Sequence, residues 1–421
     1  MMNFKLFLRN NGLARDNLIF FSASMGTNLI GFFYHAFMGR VLGPADYGIL
    51  GVLLSLLYLL NVFLNVIQTA IARFISIFKA NHDTDSVNYT FVRGLKYLSG
   101  LGLLAFSLYL LLGLLLVDFL HIPFSLYLYQ GVLVPFLFVL ALNRGLLQGL
   151  QRFLALGLNH ISEGLCKLTV GIGLVFLGFG VAGAVWGVTA SYIGAFLFSF
   201  FPLRLLYRAS QKKVEKRGII SYSLPVLLVL LALTALYSFD MLLVKHYFPA
   251  DDAGFYAAAS LLGKIVFFAT LSIALVMFPK VAESYEQKDY LNVKRVLNLS
   301  LFFITAMALG ILASYLMFPD FVILALFGQQ FLAVKPLMWL FALVYGVFSL
   351  IYALCMYNLS IRRYSFLAVL LAINIAEVIL IVLFHASLMT VLSVVAFVLL
   401  AFLLFLLFYT YLHRFEVVSA A

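Results

Sequence analysis

The chain has 421 residues, 65% of them hydrophobic and only 10% charged, and its mean hydropathy is +1.11. Soluble domains carry roughly a quarter charged residues, so this composition excludes a soluble globular protein and points to a membrane. The net charge of +11 does not imply a nucleic-acid partner. All but five of the 27 Lys and Arg residues fall in, or in the span ends that flank, the N-terminal segment, the even-numbered loops and the C-terminal segment, the exceptions being Arg40, Lys245, Lys335, Lys167 and Lys264. That asymmetry is the positive-inside pattern and predicts that both termini are cytoplasmic.

Apolar runs near or above the ~20 residues that cross a bilayer recur along the whole chain. They are continuous, without the alternation of barrel strands, so they are expected to be helices. The first, at roughly 17–41, follows a polar segment with Lys5, Arg9 and Arg15 and has no small-residue cleavage site. It therefore reads as a retained span and not as a signal peptide. A turn phrase, Arg40-Val41-Leu42-Gly43-Pro44-Ala45-Asp46-Tyr47-Gly48, leads into the second span, at roughly 47–72. That span carries Asn61, Asn65 and Gln68 along one stripe, suited to interhelical hydrogen bonds or to sugar hydroxyls. The third and fourth spans follow at roughly 90–118 and 124–149.

The fifth span, roughly 155–178, holds His160, Glu163 and Lys167 on one face. Glu163 and Lys167 are spaced for an i,i+4 ion pair, which would neutralise the helix. The alternative is that this face lines a hydrated cavity, with Lys167 near the bilayer midplane. After a sixth span at roughly 182–206 comes the longest charged linker, Arg204 to Arg217, with Lys212, Lys213, Glu215 and Lys216 between them. It divides the chain into expected lobes of residues 1–210 and 211–421.

The seventh span, roughly 219–247, contains Asp240 and ends in a second copy of the turn phrase, Lys245-His246-Tyr247-Phe248-Pro249-Ala250-Asp251-Asp252-Ala253-Gly254. The copies lie about half a chain apart. With an even number of spans per half, this predicts a parallel repeat about an axis along the membrane normal. The eighth span, roughly 254–279, carries Lys264, with no acidic neighbour in its own helix. The ninth and tenth lie at roughly 295–318 and 334–356, the eleventh at 364–384 and the twelfth at 388–412. Asn374 and Glu377 sit one turn apart in the eleventh, and Asp240 is expected at a similar depth. Two carboxylates and an amide oxygen suit Na⁺ or a shared proton; an Asp240–Lys264 structural bridge is the alternative.

Ionisable groups inside spans cost about 2.5–3.5 kcal/mol each on insertion scales, which makes each one a functional candidate. Two such ammonium groups, Lys264 and Lys167, would attract a diphosphate. No phosphate-loop motif is present, and His160 with Glu163 lacks further metal ligands. Cys166 and Cys355 both fall inside spans and read as packing residues.

At the Gly39–Gly48 phrase, its second copy and the 6+6 layout, the chain resembles the multidrug/oligosaccharidyl-lipid/polysaccharide flippase superfamily, nearest its polysaccharide-biosynthesis branch. The run Gly178-Phe179-Gly180-Val181-Ala182-Gly183-Ala184 fits as well. The resemblance implies an all-α polytopic membrane protein with twelve transmembrane helices in two six-helix lobes around a central cavity. It implies movement of polyprenyl-diphosphate-linked oligosaccharide to the outer leaflet by alternating access, with basic cavity residues on the diphosphate. A Na⁺ site between spans seven and eleven in the related peptidoglycan-precursor flippases directs attention to Asp240, Asn374 and Glu377. Those relatives place arginine within span two, whereas here the first basic residue of that span is Arg73, at its end.

The sequence therefore predicts a non-enzymatic flippase in the cell membrane. Its substrate site would draw on Lys264, Lys167, Glu163, Asn61, Asn65 and Gln68, and its cation or proton site on Asp240, Asn374 and Glu377. No cofactor, resident metal or nucleic acid is expected; membrane lipids and glycan-assembly enzymes are the expected neighbours. The alternatives are a cation-coupled multidrug exporter of the same superfamily and a non-transporting scaffold for glycan assembly.

Overall fold

The computed structural model describes residues 12–208 and 219–412, so the basic linker at 209–218 and both chain ends lie outside the described residues. Those described are helical almost throughout, with no strand among them. The helices are α1 (Gly12–Ala80), α2 (Thr84–Leu120), α3 (Phe124–Gly131), α4 (Val134–Gly149), α5 (Phe153–Leu174) and α6 (Gly180–Phe200). After the linker come α7 (Ile219–Ala235), α8 (Phe239–Tyr247), α9 (Ala250–Glu286), α10 (Tyr290–Met317), α11 (Pro319–Leu326), α12 (Lys335–Ser360), α13 (Phe366–Leu383) and α14 (Leu388–Leu412).

Ten helical stretches among the described residues are long and apolar enough to cross a membrane, and the chain is a multi-pass membrane protein. Two of them, Met25–Ala80 with 56 residues and Phe153–Arg204 with 52, are far longer than one crossing needs. Each is broken by glycine in the left-handed region: Gly43 (φ +76°) inside α1, and Gly178 (φ +90°) with Gly180 (φ +51°) between α5 and α6. Both breaks fall where the sequence places boundaries between spans.

Other expected spans are interrupted. The seventh is two helices, α7 and α8, with a turn at 236–238 between them. The fourth divides at Leu133, where Pro135 occupies the first turn of α4 and has no N–H to continue the ladder. The outward faces of α2 and α10 are apolar, with Leu115 at 71% exposure and Phe302 at 65%, as lipid contact requires.

The chain divides into two compact units. One comprises Met1–Leu42 and Leu60–Ser223, the other Gly43–Leu59 and Leu224–Ala421. Local geometry repeats between them. α1 ends in a left-handed His82 (φ +54°) followed by Asp83, whose carboxylate caps α2 at the Ser86 N–H, 3.0 Å. α9 likewise leads to Lys288 (φ +60°) and Asp289, which caps α10 at the Asn292 N–H, also 3.0 Å. In both turns the capping residue's N–H reaches back five residues, Asp83 to Phe78 and Asp289 to Ser284. Gln151 with Arg152 and Arg362 with Arg363 form a second matching pair, each opening on a left-handed residue (φ +60°).

In the first unit, small residues let helices meet at backbone distance. A Cβ added at Gly145 would stand 2.7 Å from the Gln68 carbonyl, and one at Gly149 would stand 2.6 Å from that of Ala72. In the second unit the two copies of the turn phrase pack against each other. A Cβ at Gly48 would lie 2.8 Å from the Gly254 nitrogen, and one at Gly254 would collide with the backbone of Pro44. Tyr47, between them, is edge-on to Phe327 and Phe331 at 5.7 and 6.0 Å.

Because backbone and not a flexible side chain blocks Gly254, Gly254→Leu is expected to destabilise the fold by more than the about 1–3 kcal/mol of ordinary overpacking. Thermal unfolding of the detergent-solubilised chain checks this. Gly310→Ala, which meets nothing within 4 Å, is expected to leave the transition in place.

Candidate functional site

The second unit contains a polar line within an apolar bundle. On α9, Tyr256, Ser260 and Lys264 follow at four-residue spacing and so share one face. The Tyr256 hydroxyl donates to Asp240 Oδ2 at 2.8 Å. Ser260 Oγ and the Tyr345 hydroxyl of α12 are 3.1 Å apart. Lys264 Nζ stands 5.2 Å from the ring centre of Tyr58 and 5.5 Å from that of Tyr237, which is cation–π distance from both.

Tyr237 lies in the turn between α7 and α8, one helical turn before Asp240, and packs on Phe267 and Phe348. Tyr352 lies against the same Phe267 at 5.3 Å. Half-buried Lys264 makes no hydrogen bond or ion pair among the described residues. The direct Asp240–Lys264 bridge offered as an alternative is therefore not formed, although the two charges lie within each other's field.

Asp240 opens α8, where its Oδ1 accepts the Met241 N–H at 2.7 Å. α13 packs on α8 and brings Glu377 within the electrostatic reach of Asp240. Both carboxylates are almost wholly buried, 3% and 1% exposed. Asn374, one turn before Glu377, donates its amide to the Leu370 carbonyl at 2.8 Å. Glu377 Oε1 and Asn374 Oδ1 are buried with no hydrogen-bond partner among the described residues, and so is Ser238 Oγ at the start of α8. Buried acceptors without donors are costly. A monovalent cation held by carboxylate, amide and phenol oxygens, or a proton shared by the two acids, would satisfy the cluster.

The first unit departs from expectation. Glu163 pairs not with Lys167 but with Arg144 of α4, Nη2 to Oε2 at 2.5 Å. Arg144 Nε also donates to Asn159 Oδ1 at 2.8 Å, and Asn159 in turn donates to the Ala195 carbonyl at 2.7 Å. The physical reason is shape: Asn159 and Glu163 are four apart on α5 and meet the fork of one guanidinium, which a lysine cannot span. Arg144, grouped by position with the basic loop residues, is in fact buried at 8% exposure.

Lys167 is left with its Nζ 5.1 Å from the Tyr34 ring centre and, among the described residues, no hydrogen bond or ion pair. Tyr34 is itself fixed by donating to the Ala184 carbonyl at 2.9 Å. Of the span-two stripe, Gln68 donates to Gln148 Oε1 at 3.0 Å, Asn61 is half-buried and Asn65 exposed. The structure does not draw these three into one cluster.

Arg144, Asn159, Ser260 and the tyrosines of these clusters do not stand out in the sequence. Arg144 lies near the end of the fourth span, where arginine is ordinary and gives no signal. Tyr58, Tyr237 and Tyr256 give none either, being three among 23 tyrosines.

Breaking a buried ion pair from one side strands the other charge, at a cost of about 3–5 kcal/mol. Arg144→Ala is therefore expected to lower the thermal midpoint in detergent sharply. Arg144→Met combined with Glu163→Gln should recover most of the loss. An unchanged midpoint in Arg144→Ala would show that the pair does not hold α4 to α5.

Residues 13–285 match the family model described as polysaccharide biosynthesis protein. An uncharacterised membrane protein of Methanocaldococcus jannaschii is 22% identical over 334 residues, 75% of this chain and 77% of its own. Among solved structures, an inward-facing multidrug resistance MATE family transporter of the MOP superfamily superposes with a TM-score of 0.73 at 13% identity, covering 93% of this chain and 97% of that one. The lipid II flippase MurJ, in an inward closed conformation, superposes with a TM-score of 0.72 at 14% identity, covering 93% and 87%. A MOP superfamily transporter from Pyrococcus furiosus gives 0.65 at 14% identity, covering 94% and 93%. At these identities the likenesses establish a shared fold.

Proposed function

The chain belongs to the polysaccharide biosynthesis protein family, and from that premise we propose that it is a flippase for polyprenyl-diphosphate-linked oligosaccharide. The chain crosses the cell membrane twelve times, six in each of two repeated lobes, with both termini in the cytoplasm. It carries the glycan headgroup from the cytoplasmic to the outer leaflet by alternating access while the polyprenyl tail stays in lipid.

One observation carries this reading. Each unit holds a lysine inside a membrane-spanning helix, Lys264 and Lys167, that rests on tyrosine rings and contacts no carboxylate among the described residues. A cation kept in the membrane without an anion is suited to a substrate that brings one. Lys264, flanked by Tyr58 and Tyr237, takes the diphosphate, and Lys167 is a second lysine suited to an anion. Asn61, Asn65 and Gln68 face sugar hydroxyls. Glu163 serves indirectly, by fixing Arg144. Asp240, Asn374 and Glu377 hold Na⁺ or a proton, whose movement down its gradient biases the cycle; one charge crossing the potential supplies about 2.3 kcal/mol per 100 mV.

The solved MATE structures keep the multidrug-exporter alternative in view, since that fold is shared. A cationic drug, however, would meet ammonium groups, Lys264 and Lys167, that no carboxylate contacts among the described residues. A pure scaffold for glycan-assembly enzymes would have no use for half-buried lysines without an ion pair in its spans.

Deleting the gene is expected to accumulate lipid-linked glycan on the cytoplasmic leaflet and to remove surface glycan. Complementation with Lys264→Ala should restore less than about a tenth of wild-type flipping, and Lys264→Arg should restore more. Full complementation by Lys264→Ala would refute the diphosphate role. Drug sensitivity of the deletion strain without glycan accumulation would favour the exporter.

A further inference from the structure

α10 presents an outward stripe that neither the packing of the bundle nor the proposed function uses. Leu291, Arg295 and Leu299 form one i,i+4 row along it, and Lys294, Asn298 and Phe302 form the next. The two rows line an open groove of about 500 Å³. All six side chains are exposed, Leu291 at 86% and Phe302 at 65%. α14 borders the stripe, where the Tyr411 hydroxyl donates to Asn298 Oδ1 at 2.5 Å.

The chemistry of the groove selects its occupant. α10 is long and apolar enough to span a membrane, so lipid covers its outward face. Lys294 and Arg295 make no hydrogen bond or ion pair among the described residues. The carboxylates of the preceding turn are engaged elsewhere: Asp289 caps α10 at the Asn292 N–H, 3.0 Å, and Glu286 pairs with Arg362 at 2.8 Å. Asn298 has given its oxygen to Tyr411, and its amide hydrogens have no partner among the described residues. One end of the groove therefore offers donors and positive charge, and Leu299 and Phe302 continue it as hydrocarbon. Exposed Leu291, beside the edge-on pair Tyr285 and Tyr290 at 6.1 Å, sets that end in the bilayer interface, with the two cations at headgroup depth. From Lys294 to Phe302 the rise is about 12 Å, enough for a headgroup and the upper part of a chain.

We propose that this groove is a binding site for an anionic phospholipid, its phosphate held by Lys294, Arg295 and Asn298 and one acyl chain laid on Leu299 and Phe302. The planar guanidinium of Arg295 matches two phosphate oxygens, and Lys294 adds a point charge. A zwitterionic lipid brings its own cation, which these two groups repel, so the groove discriminates by headgroup charge. A basic residue at a membrane surface favours anionic lipid about fivefold, and the pair about twentyfold. The site shares no residue with the substrate and ion clusters and does not depend on the flippase reading.

The test is native mass spectrometry of the full chain from neutral detergent, titrated with dioleoylphosphatidylglycerol or dioleoylphosphatidylcholine. The expected result is one phosphatidylglycerol bound about twentyfold more tightly than phosphatidylcholine. Lys294→Gln with Arg295→Gln should bring the two lipids to equal affinity without moving the thermal midpoint in neutral detergent, since both side chains are exposed. Arg93→Gln with Lys96→Gln, an exposed basic pair on α2, should leave the preference intact. Phe302→Ser should weaken both lipids alike. Equal loss of preference in both double variants would overturn the site in favour of general surface charge. Glycerol phosphate binding as tightly as the whole lipid would reduce it to a phosphate site. Farnesyl diphosphate binding more tightly than phosphatidylglycerol, and only with Lys294 and Arg295 present, would give the groove to a prenyl diphosphate instead. A dimer that dissociates in the Lys294/Arg295 variant would give it to a second copy of the chain.

Discussion

Hydrocarbon tolerates no uncompensated charge cheaply, and the helices of this chain carry several. Each ionisable group in a span adds about 2.5–3.5 kcal/mol to insertion unless something offsets it. The first unit offsets Arg144 and Glu163 against each other, with Asn159 taking a further guanidinium proton. The second unit offsets Asp240 with a phenol and a backbone N–H. Lys167 and Lys264 have neither kind of partner among the described residues and rest on aromatic faces. These differences sort the charged residues into those that hold helices together and those that remain free to meet a ligand.

The repeated turn phrase gains a second meaning from the structure. In sequence it is a helix–turn–helix joint, and Pro249 with extended Phe248 serves that purpose between α8 and α9. In space its two copies are partners. Gly48 and Gly254 bring α1 and α9 to backbone contact within one unit, and this is why residues 43–59 pack with the later half of the chain and not with the helix they continue. The same placement brings Tyr58 to Lys264. One short motif thus shapes a turn, a helix crossing and, one end of a helix away, half of an aromatic seat.

Much of this was legible because membrane chains are simple where lipid is concerned. Long apolar runs, the span boundaries near residues 41–47 and 178–182, and the concentration of Lys and Arg at alternate loops are read from the sequence by bilayer rules alone. Asp240, Lys264 and Glu377 stood out because charge is rare in such runs. The partner of Glu163 was not legible, since i,i+4 spacing offers Lys167 equally well on one helix, and only tertiary packing shows that Arg144 is nearer and better shaped. Arg144 itself was hidden by its place near a span end, where arginine is ordinary. The tyrosines at Lys264 come from two widely separated segments, α1 and the α7–α8 turn. No local pattern distinguishes them from the lipid-facing aromatics.

Aromatic support differs from ion pairing in a way that matters for a carrier. A lysine locked to a carboxylate has its charge neutralised, and an anion must displace that carboxylate to bind. A cation–π contact supplies only about 0.5–2 kcal/mol and leaves the ammonium its hydrogens and its net charge. The seat formed by Tyr58 and Tyr237 therefore makes Lys264 tolerable in the span without satisfying it. Under the proposed function the remaining stabilisation would go to an arriving phosphate and be lost again when it leaves, so the affinity could stay moderate. Asp240 lies near enough to influence that charge and makes no ion pair with it, so under the proposed function it would modulate the charge an anionic headgroup meets.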